Sequence, residues 1–305
     1  MNIIFPKKLK LYIIATLCTI LWGSAIPMIK IGFDVFDISA SATSDKVLFA
    51  GIRFLGAGIM LLIPYLFSSG KRELTKKLMK HSVILGVIQT AAQYFFMYIG
   101  LAYTSGVNGS VFNAVGTLLY IVLAYIIFRD ERFSYLGWLG CIIGFSGILL
   151  NSIASQKIGE FSFKGDGLVI LSNLCVTVGF LYSKHSVKNC NPFLLTGLQM
   201  FIGGAILLCI GLISGGGIPH ITVAGILLLL YLMLVSAVAF SLWTMLLRDY
   251  DGAKVGMFNF LTPVFGVFFS VLLNLTGVLN DNSALTVYTL IAVVCTGCGI
   301  LLAKK

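Results

Sequence analysis

Ten apolar segments, each roughly 20 residues long, constrain this chain more than any other feature. Hydrophobic residues make up 58% of its 305 residues and charged residues only 10%, against about 25% charged residues in a typical soluble domain. A segment of roughly 20 apolar residues is long enough to cross a bilayer. The expected spans are 11–30, 47–67, 82–102, 106–128, 134–153, 166–184, 192–214, 222–246, 253–275 and 284–303.

The connections between these spans carry most of the charge, and the longest is expected at 31–46. If the N-terminus lies in the cytoplasm and the chain crosses at each span, 16 of its 21 Lys and Arg residues are cytoplasmic. That bias follows the positive-inside rule, so both termini are expected in the cytoplasm. The basic residues form no continuous stripe, so the net charge of +10 does not predict a nucleic-acid partner.

The two halves of the chain repeat one short pattern. Gly106-Val-Asn-Gly-Ser-Val-Phe112-Asn113-Ala-Val-Gly-Thr117 opens the fourth span, and Gly252-Ala-Lys-Val-Gly-Met-Phe258-Asn259-Phe-Leu-Thr-Pro263 opens the ninth. We therefore expect two halves, 1–153 with helices 1–5 and 154–305 with helices 6–10. Because five is odd, the halves enter the membrane from opposite sides, as in many secondary transporters. The predicted fold is an all-α integral membrane protein with ten transmembrane helices in two inverted five-helix repeats.

Polar side chains within the spans are the candidates for a substrate site, since polar groups are costly in hydrocarbon and often mark a pathway. Asn113 and Asn259 hold matching positions and could face one central cavity. Gln89 and Gln93 are four residues apart and share one helical face. The alternative for each amide is a hydrogen bond between helices that stabilises the bundle. The remaining substrate-binding candidates are Trp22, Tyr98, Asn173, Tyr182 and Gln199.

Three further residues are candidates for structural or gating roles. Pro27 permits a local break in the first span, and Pro263 should kink the ninth because it removes a backbone hydrogen bond. Arg53 is a charge inside a span. It could attract an anionic substrate group such as a carboxylate. The structural alternatives are snorkelling to the outer headgroups and pairing with an aspartate of the 31–46 connection.

Several absences argue against other functions. No Asp or Glu lies near the centre of a span, so a buried carboxylate proton relay has no obvious carrier. The three His residues lie at span edges, and no Gly-rich phosphate loop is present. The seven cysteines are an odd number and suit no disulfide framework. We therefore expect no metal, no cofactor and no enzymatic activity.

Four short motifs add a family resemblance: Leu21-Trp22-Gly23-Ser24, Arg53-Phe54, Arg129-Asp130-Glu131-Arg132 and Leu261-Thr262-Pro263-Val264. Together they resemble the drug/metabolite transporter (DMT) superfamily, EamA-type, over roughly residues 11–303. The resemblance implies ten helices in an inverted five-plus-five repeat, a central cavity and small metabolites as substrates. It also implies a structural or gating role for Glu131, although Asp130 replaces the Gly that usually precedes that Glu.

These observations predict a secondary transporter that moves small organic metabolites across the cytoplasmic membrane by alternating access. Amino acids or related amphiphiles are the expected solutes, with export or exchange as the expected direction. The expected assembly is a monomer or a weak homodimer in the lipid bilayer. The alternatives are a membrane scaffold or sensor that transports nothing and a membrane-embedded enzyme.

Overall fold

A computed structural model of the protein describes residues 7–39, 41–67, 74–104, 106–128, 134–155, 161–188, 190–278 and 287–302. Within those ranges the regular structure is helical and no β-strand occurs. Within the described residues, eight continuous helical stretches are long and apolar enough to cross a membrane, and two shorter apolar helices accompany them. The protein is therefore an all-α, multi-pass membrane protein.

Each apolar segment predicted from the sequence forms α-helix over most of its length. In three of these segments a π-helical or 3₁₀ turn interrupts or precedes the α-helix. Residues 86–92 and 163–167 form π-helical turns, and residues 258–260 form a 3₁₀ turn. The α-helices are α1 (Lys7–Val35), α2 (Thr43–Phe67), α3 (Lys76–Leu85), α4 (Gln93–Tyr103), α5 (Gly106–Ile127), α6 (Tyr135–Ser155), α7 (Leu168–Val187), α8 (Pro192–Ile213), α9 (Val223–Asp249), α10 (Gly252–Met257), α11 (Leu261–Leu275) and α12 (Val287–Leu302).

Helices α1 and α2 extend further than the apolar pattern predicted. The expected 31–46 connection is reduced to 36–42, because helical hydrogen bonding continues beyond the apolar stretch. At the end of α1 the Ile38 N–H donates to the Phe33 carbonyl at 2.8 Å, and Asp37 takes a φ of 56°. That left-handed residue and the long backward bond are features of a Schellman turn, which ends the helix.

Glycines spaced seven residues apart bring α2 and α8 into backbone contact. A Cβ atom on Gly51 would lie 2.4 Å from a backbone nitrogen of α8, and one on Gly204 would lie 2.2 Å from a backbone nitrogen of α2. Gly58 and Gly211 approach the facing helix as closely, at 2.4 and 2.7 Å. Small residues of this kind drive helix association in membranes because they let the backbones approach. The paired positions run in opposite directions, so α2 and α8 are antiparallel.

The remaining helices pack around this seam. Helices α6 and α12 form a second close pair, in which a Cβ on Gly140 would lie 2.2 Å from the Gly299 carbonyl oxygen. Helix α1 packs against both α9 and α11, while α7 packs against both α4 and α5. Aromatic residues of α1, α5, α7 and α9 meet in the interior.

The two prolines behave differently. The ninth span changes to a 3₁₀ turn at Phe258–Phe260, which directly precedes α11, and Pro263 is the third residue of that helix. Pro263 cannot donate to the carbonyl of Asn259, so the regular helical bond is missing there. Helix α1 runs without interruption through Pro27, so no break occurs at that residue.

Candidate substrate site between the helices

Aromatic side chains from four helices meet inside the bundle. The ring centroid of Trp22 on α1 lies 4.9 Å from Trp243 and 5.2 Å from Phe240, both on α9. Phe180 on α7 lies 5.9 Å from Trp243 and 5.6 Å from Tyr120 on α5. Such separations are typical of aromatic pairs that attract each other. We refer to these five residues as the aromatic cluster.

Two hydrogen-bond donors of the aromatic cluster have no acceptor in the described structure. The indole N–H groups of Trp22 and Trp243 are buried and have no hydrogen-bond acceptor among the described residues. A buried indole N–H usually finds a partner, and an unsatisfied buried donor costs about 1–3 kcal/mol. A solute with a carbonyl or carboxylate oxygen would satisfy either donor. The cluster therefore combines an aromatic surface with two unused donors.

The two residues after Trp22 contact neighbouring helices and so hold Trp22 in the cluster. The next residue but one, Ser24, shares a 2.7 Å hydrogen bond with the hydroxyl of Tyr231 on α9. Gly23 faces α11 so closely that a Cβ there would lie 2.5 Å from the Phe265 Cβ. The Trp-Gly-Ser motif thus places an aromatic ring, a close helix contact and an interhelical hydrogen bond in succession.

Two predicted amides bind each other across helices. Gln199 on α8 donates through Nε2 to Gln89 Oε1 at 3.2 Å and to Thr90 Oγ1 at 3.4 Å. Gln89 lies in the π-helical turn, a feature often found at functional sites, and Gly179 of α7 packs on its side chain. An interhelical amide pair is one of the two roles that the sequence left open for Gln89.

Gln93 has a different environment from Gln89. The face that these residues were predicted to share assumes regular α-helical spacing, which the π turn between them changes. The main-chain carbonyl of Gln93 accepts a 2.9 Å hydrogen bond from Ser172 on α7. Its side-chain oxygen is buried without a partner in the described ranges. Gln93 thus keeps an unused acceptor, while the oxygen of Gln89 is already bonded.

The two copies of the repeated pattern contact each other. Asn259 donates through Nδ2 to Thr117 Oγ1 at 3.4 Å, and Thr117 in turn donates to the Asn113 carbonyl at 3.2 Å. Thr262 donates to Asn259 Oδ1 at 3.2 Å. The side chain of Asn113 is exposed, whereas Asn259 is half-buried. The two asparagines are therefore linked through Thr117, and their side chains have different environments.

Arg53 lies inside the protein on α2 and is only 2% exposed. Its Nε–H donates to Ser236 Oγ at 2.9 Å and to the Leu232 carbonyl at 3.4 Å, both on α9. The predicted partners among the aspartates that precede it form no ion pair with it; Asp45 instead accepts from the Gly217 N–H at 2.9 Å. The guanidinium is therefore neither at the surface nor neutralised by those carboxylates.

Tyr98 lies close to Arg53 inside the bundle. Its hydroxyl lies next to the guanidinium but forms no well-aligned hydrogen bond. The ring of Tyr98 lies 6.4 Å from that of Tyr94, which lies 4.2 Å from Phe54, the residue after Arg53. The rings of Phe54, Tyr94 and Tyr98 therefore form an aromatic surface beside the buried cation.

Three predicted residues fall elsewhere. The Tyr182 hydroxyl is 2.8 Å from Nδ1 of His81, in the middle of α3. Asn173 donates to the Val169 carbonyl of its own helix at 2.9 Å. Glu131 lies outside the described residues.

Of the aromatic cluster, only Trp22 is among the site residues predicted from the sequence. Trp243, Phe180 and Phe240 were not singled out, because an aromatic residue in an apolar span is ordinarily a packing residue. A usable signal was present for Trp243, which is one of only three Trp residues and stands between Ser241 and Thr244. Polar neighbours in mid-span favour an interior position, since they would be costly against lipid.

Known proteins resemble this chain in sequence and in fold. The chain is 27% identical over 268 residues to the uncharacterized transporter YyaM of Bacillus subtilis (strain 168), covering 85% of this chain and 84% of that protein. It is 25% identical over 272 residues to an uncharacterized transporter of Archaeoglobus fulgidus, covering 86% and 88%. A solved crystal structure matches with a TM-score of 0.73 at 15% identity, covering 96% of this chain and 95% of that one, and so shares the fold.

The family comparison covers both halves. The sequence pattern that defines the EamA-like transporter family matches residues 9–153 and again residues 163–304. Helices able to cross a membrane occur in both matched segments. This chain belongs to the EamA-like transporter family, a family of membrane transporters.

Proposed function

We propose that the protein is a secondary transporter that moves small organic metabolites across the cytoplasmic membrane by alternating access. The observation that carries this proposal is the aromatic cluster, in which Trp22 of the first half meets Phe180, Phe240 and Trp243 of the second. A binding site shared by the two halves of a chain is what rocking of one half against the other requires. No catalytic role is assigned to any residue.

Ten spans in two inverted repeats, 1–153 and 154–305, are part of this proposal. The pairing of helices supports it. The first span packs against the eighth and ninth (α9 and α11), and the sixth (α7) packs against the third and fourth (α4 and α5). Exchanging each span for its counterpart five places along converts one set of contacts into the other. The second and fifth spans each pack on their own counterparts, α8 and α12.

The interhelical bond between Asn259 and Thr117 gives further support. It brings the two copies of the repeated pattern into contact, and a two-fold axis in the membrane plane passing between them would place them side by side in this way. The same contact would have to change when the halves rock. The hydrogen bonds among Asn113, Thr117 and Asn259 are therefore proposed to differ between the transport conformations. The 3₁₀ turn before Pro263 is the proposed hinge of the ninth span, whereas the matching fourth span is a continuous α-helix over Gly106–Ile127.

Orientation and solutes follow from charge and surface chemistry. The concentration of Lys and Arg on one side supports cytoplasmic termini. Unused donors on Trp22 and Trp243 and an unused acceptor on Gln93 suit a modest-sized solute with both apolar and hydrogen-bonding parts. Amino acids and related amphiphiles meet that description, and export or exchange is the proposed direction.

A binding screen tests the site. Purified protein in detergent is heated with amino acids, nucleosides, sugars and cationic drugs, since a ligand of the folded state raises the melting temperature with concentration. The proposal expects one solute class to stabilise the wild type and to lose that effect in Trp22→Ala. Trp138→Ala is the matched control, because Trp138 packs on Tyr125, outside the aromatic cluster. Equal stabilisation of wild type and Trp22→Ala would reject the site.

A membrane scaffold that transports nothing is the second candidate. The specific observations that favour it are the Gln89–Gln199 and Asn259–Thr117 bonds, since polar side chains that bind each other stabilise a bundle without any pathway. A scaffold would show no solute flux in reconstituted vesicles. Flux of any metabolite that depends on the aromatic cluster would reject it.

A further inference from the structure

Arg53 lies within the membrane-spanning part of α2. The apolar span begins at residue 47, so Arg53 is six residues inside it, roughly 9 Å at 1.5 Å per residue. The hydrocarbon core of a bilayer is about 30 Å thick. A guanidinium at that depth and with 2% exposure is held inside the protein, away from both lipid and bulk water.

The hydrogen bonds of Arg53 occupy only one of its N–H donors. A guanidinium has five N–H donors, and the bonds in the described part of the chain both come from Nε–H, to Ser236 and to Leu232. The other four N–H donors belong to the two terminal NH2 groups, and they have no well-aligned acceptor among the described residues. A buried charge without a counter-ion is strongly unfavourable, so such groups in membrane proteins are ordinarily functional.

A second buried cation lies on the same face of α2. Lys46 is seven residues, or two turns, before Arg53, which places it about 10 Å nearer the start of the helix. Its ammonium lies 5.5 Å from the centroid of the Phe33 ring, and Phe33 lies 6.2 Å from Tyr98. The Tyr98 hydroxyl lies beside Arg53. A line of positive charge and aromatic surface therefore runs from the outer part of α2 to its interior.

We propose that Arg53 binds the carboxylate of an organic anion, with Lys46 attracting that anion along the rings of Phe33 and Tyr98, and Tyr98 donating a hydrogen bond to it. This inference rests on the proposed transport function and specifies its substrate as an aromatic or amphiphilic monocarboxylate. The two parallel N–H groups of a guanidinium match the two oxygens of a carboxylate. A single guanidinium assisted by one phenol suits a single negative charge, and the neighbouring rings suit an apolar body.

The test compares two probes that share an apolar body and differ in the head group, which is a carboxylate in one and an uncharged amide in the other. The probes are 3-phenylpropionate and its neutral amide, 3-phenylpropionamide, and the readout is the concentration-dependent rise in melting temperature of the full-length protein at neutral pH. The acid is expected to bind wild type at least tenfold more tightly than the amide. Arg53→Gln is expected to abolish that difference, and Tyr98→Phe, which keeps the ring, is expected to weaken the acid alone.

Arg248→Gln is the matched control, because Arg248 is an exposed arginine that pairs with Asp249. It should leave both probes unchanged. Equal binding of acid and amide to wild type, or no binding of the acid, overturns the inference. Those two outcomes need no variant, so a failure of Arg53→Gln to fold does not protect the inference. Undiminished binding of the acid to a folded Arg53→Gln protein also overturns it.

A flux measurement separates this inference from the proposed function. If vesicles containing wild type release 3-phenylpropionate, and vesicles containing Arg53→Gln release it at the same rate, transport stands and the anion site is rejected. If phenylpropionate binds through Arg53 but no solute crosses the membrane in any vesicle, the anion site stands and the transport proposal is rejected.

Discussion

Asn259 donates a hydrogen bond from its side-chain amide to Thr117 at 3.4 Å, and this bond joins the two copies of the repeated pattern. The residues lie 142 positions apart in the chain and on facing helices. Thr117 also binds the main-chain carbonyl of Asn113, the counterpart of Asn259. One hydroxyl therefore connects both asparagines, and a movement of one half against the other must stretch or break this link.

Replacing Thr117 by Val tests that link, because Val keeps the shape and removes the hydroxyl. The loss of an interhelical hydrogen bond in a membrane should lower stability by only about 0.6–2 kcal/mol, while the balance between the two transport conformations should shift. We expect a folded protein with an altered transport rate in reconstituted vesicles. Thr276→Val, which removes an exposed hydroxyl at the end of α11, is the control, and equal rates in both variants would contradict the proposed role.

The glycine seam between α2 and α8 should tolerate no added carbon. Gly204→Ala places a methyl group 2.2 Å from the Leu55 backbone nitrogen, so the helices must separate. Overpacking of this kind costs about 1–3 kcal/mol. Gly297→Ala on α12 is the control, since nothing lies within 4 Å of its Cβ. Unfolding in denaturant should start earlier for the first variant alone, and similar midpoints for both would show that the seam is not closely packed.

The pair Gln89 and Gln199 should show coupling in a double-mutant cycle. Each single change to Ala leaves the other amide without its 3.2 Å partner in a buried position, whereas the double change removes both. The expected coupling energy is about 0.6–2 kcal/mol. Thermal unfolding of the three variants and the wild type measures it. Additive effects would mean that the two amides do not bind each other in the folded protein.

Cys190 reports the orientation of the chain. It lies in the connection between α7 and α8, which the charge distribution predicts to be cytoplasmic. Burial raises the pKa of the Cys190 thiol, and the nearby Lys77 opposes this in part. A raised pKa means less thiolate at neutral pH, so alkylation should be slower than for a free cysteine and should accelerate as the pH rises.

A membrane-impermeant maleimide should therefore label inside-out vesicles, slowly at neutral pH and faster under alkaline conditions, and leave right-side-out vesicles unlabelled. Cys190→Ser identifies the signal that belongs to this residue. Labelling of Cys190 from the outer side would invert the proposed topology.

Much of the fold is accessible from the sequence because the bilayer imposes simple rules. An apolar run must be long enough to cross the hydrocarbon, and every backbone group within it must be bonded. Those rules predict helices within a few residues of α5 and α8. They do not mark the true end of α1, since the Schellman turn at Asp37 depends on local backbone geometry. They also miss the π turn around Gln89, which redirects the two glutamines.

The candidate site was predictable only in part. Trp22, Gln199 and Asn259 are conspicuous because polar or interfacial residues are unusual in mid-span. Which groups they contact depends on helix rotation, and periodicity cannot specify rotation in spans that are apolar on nearly every face. The role of Phe180 becomes visible only when its ring is found 5.9 Å from Trp243.

The most direct test of transport through the shared centre uses proteoliposomes loaded with a mixed extract of small metabolites. Mass spectrometry follows which compounds leave vesicles that contain wild type, Trp243→Ala or no protein. We predict faster release of a restricted set of small organic solutes from wild-type vesicles, and a return towards the protein-free rate in Trp243→Ala. Release that is identical in all three preparations, or unchanged by Trp243→Ala, would contradict a transport pathway through the aromatic cluster.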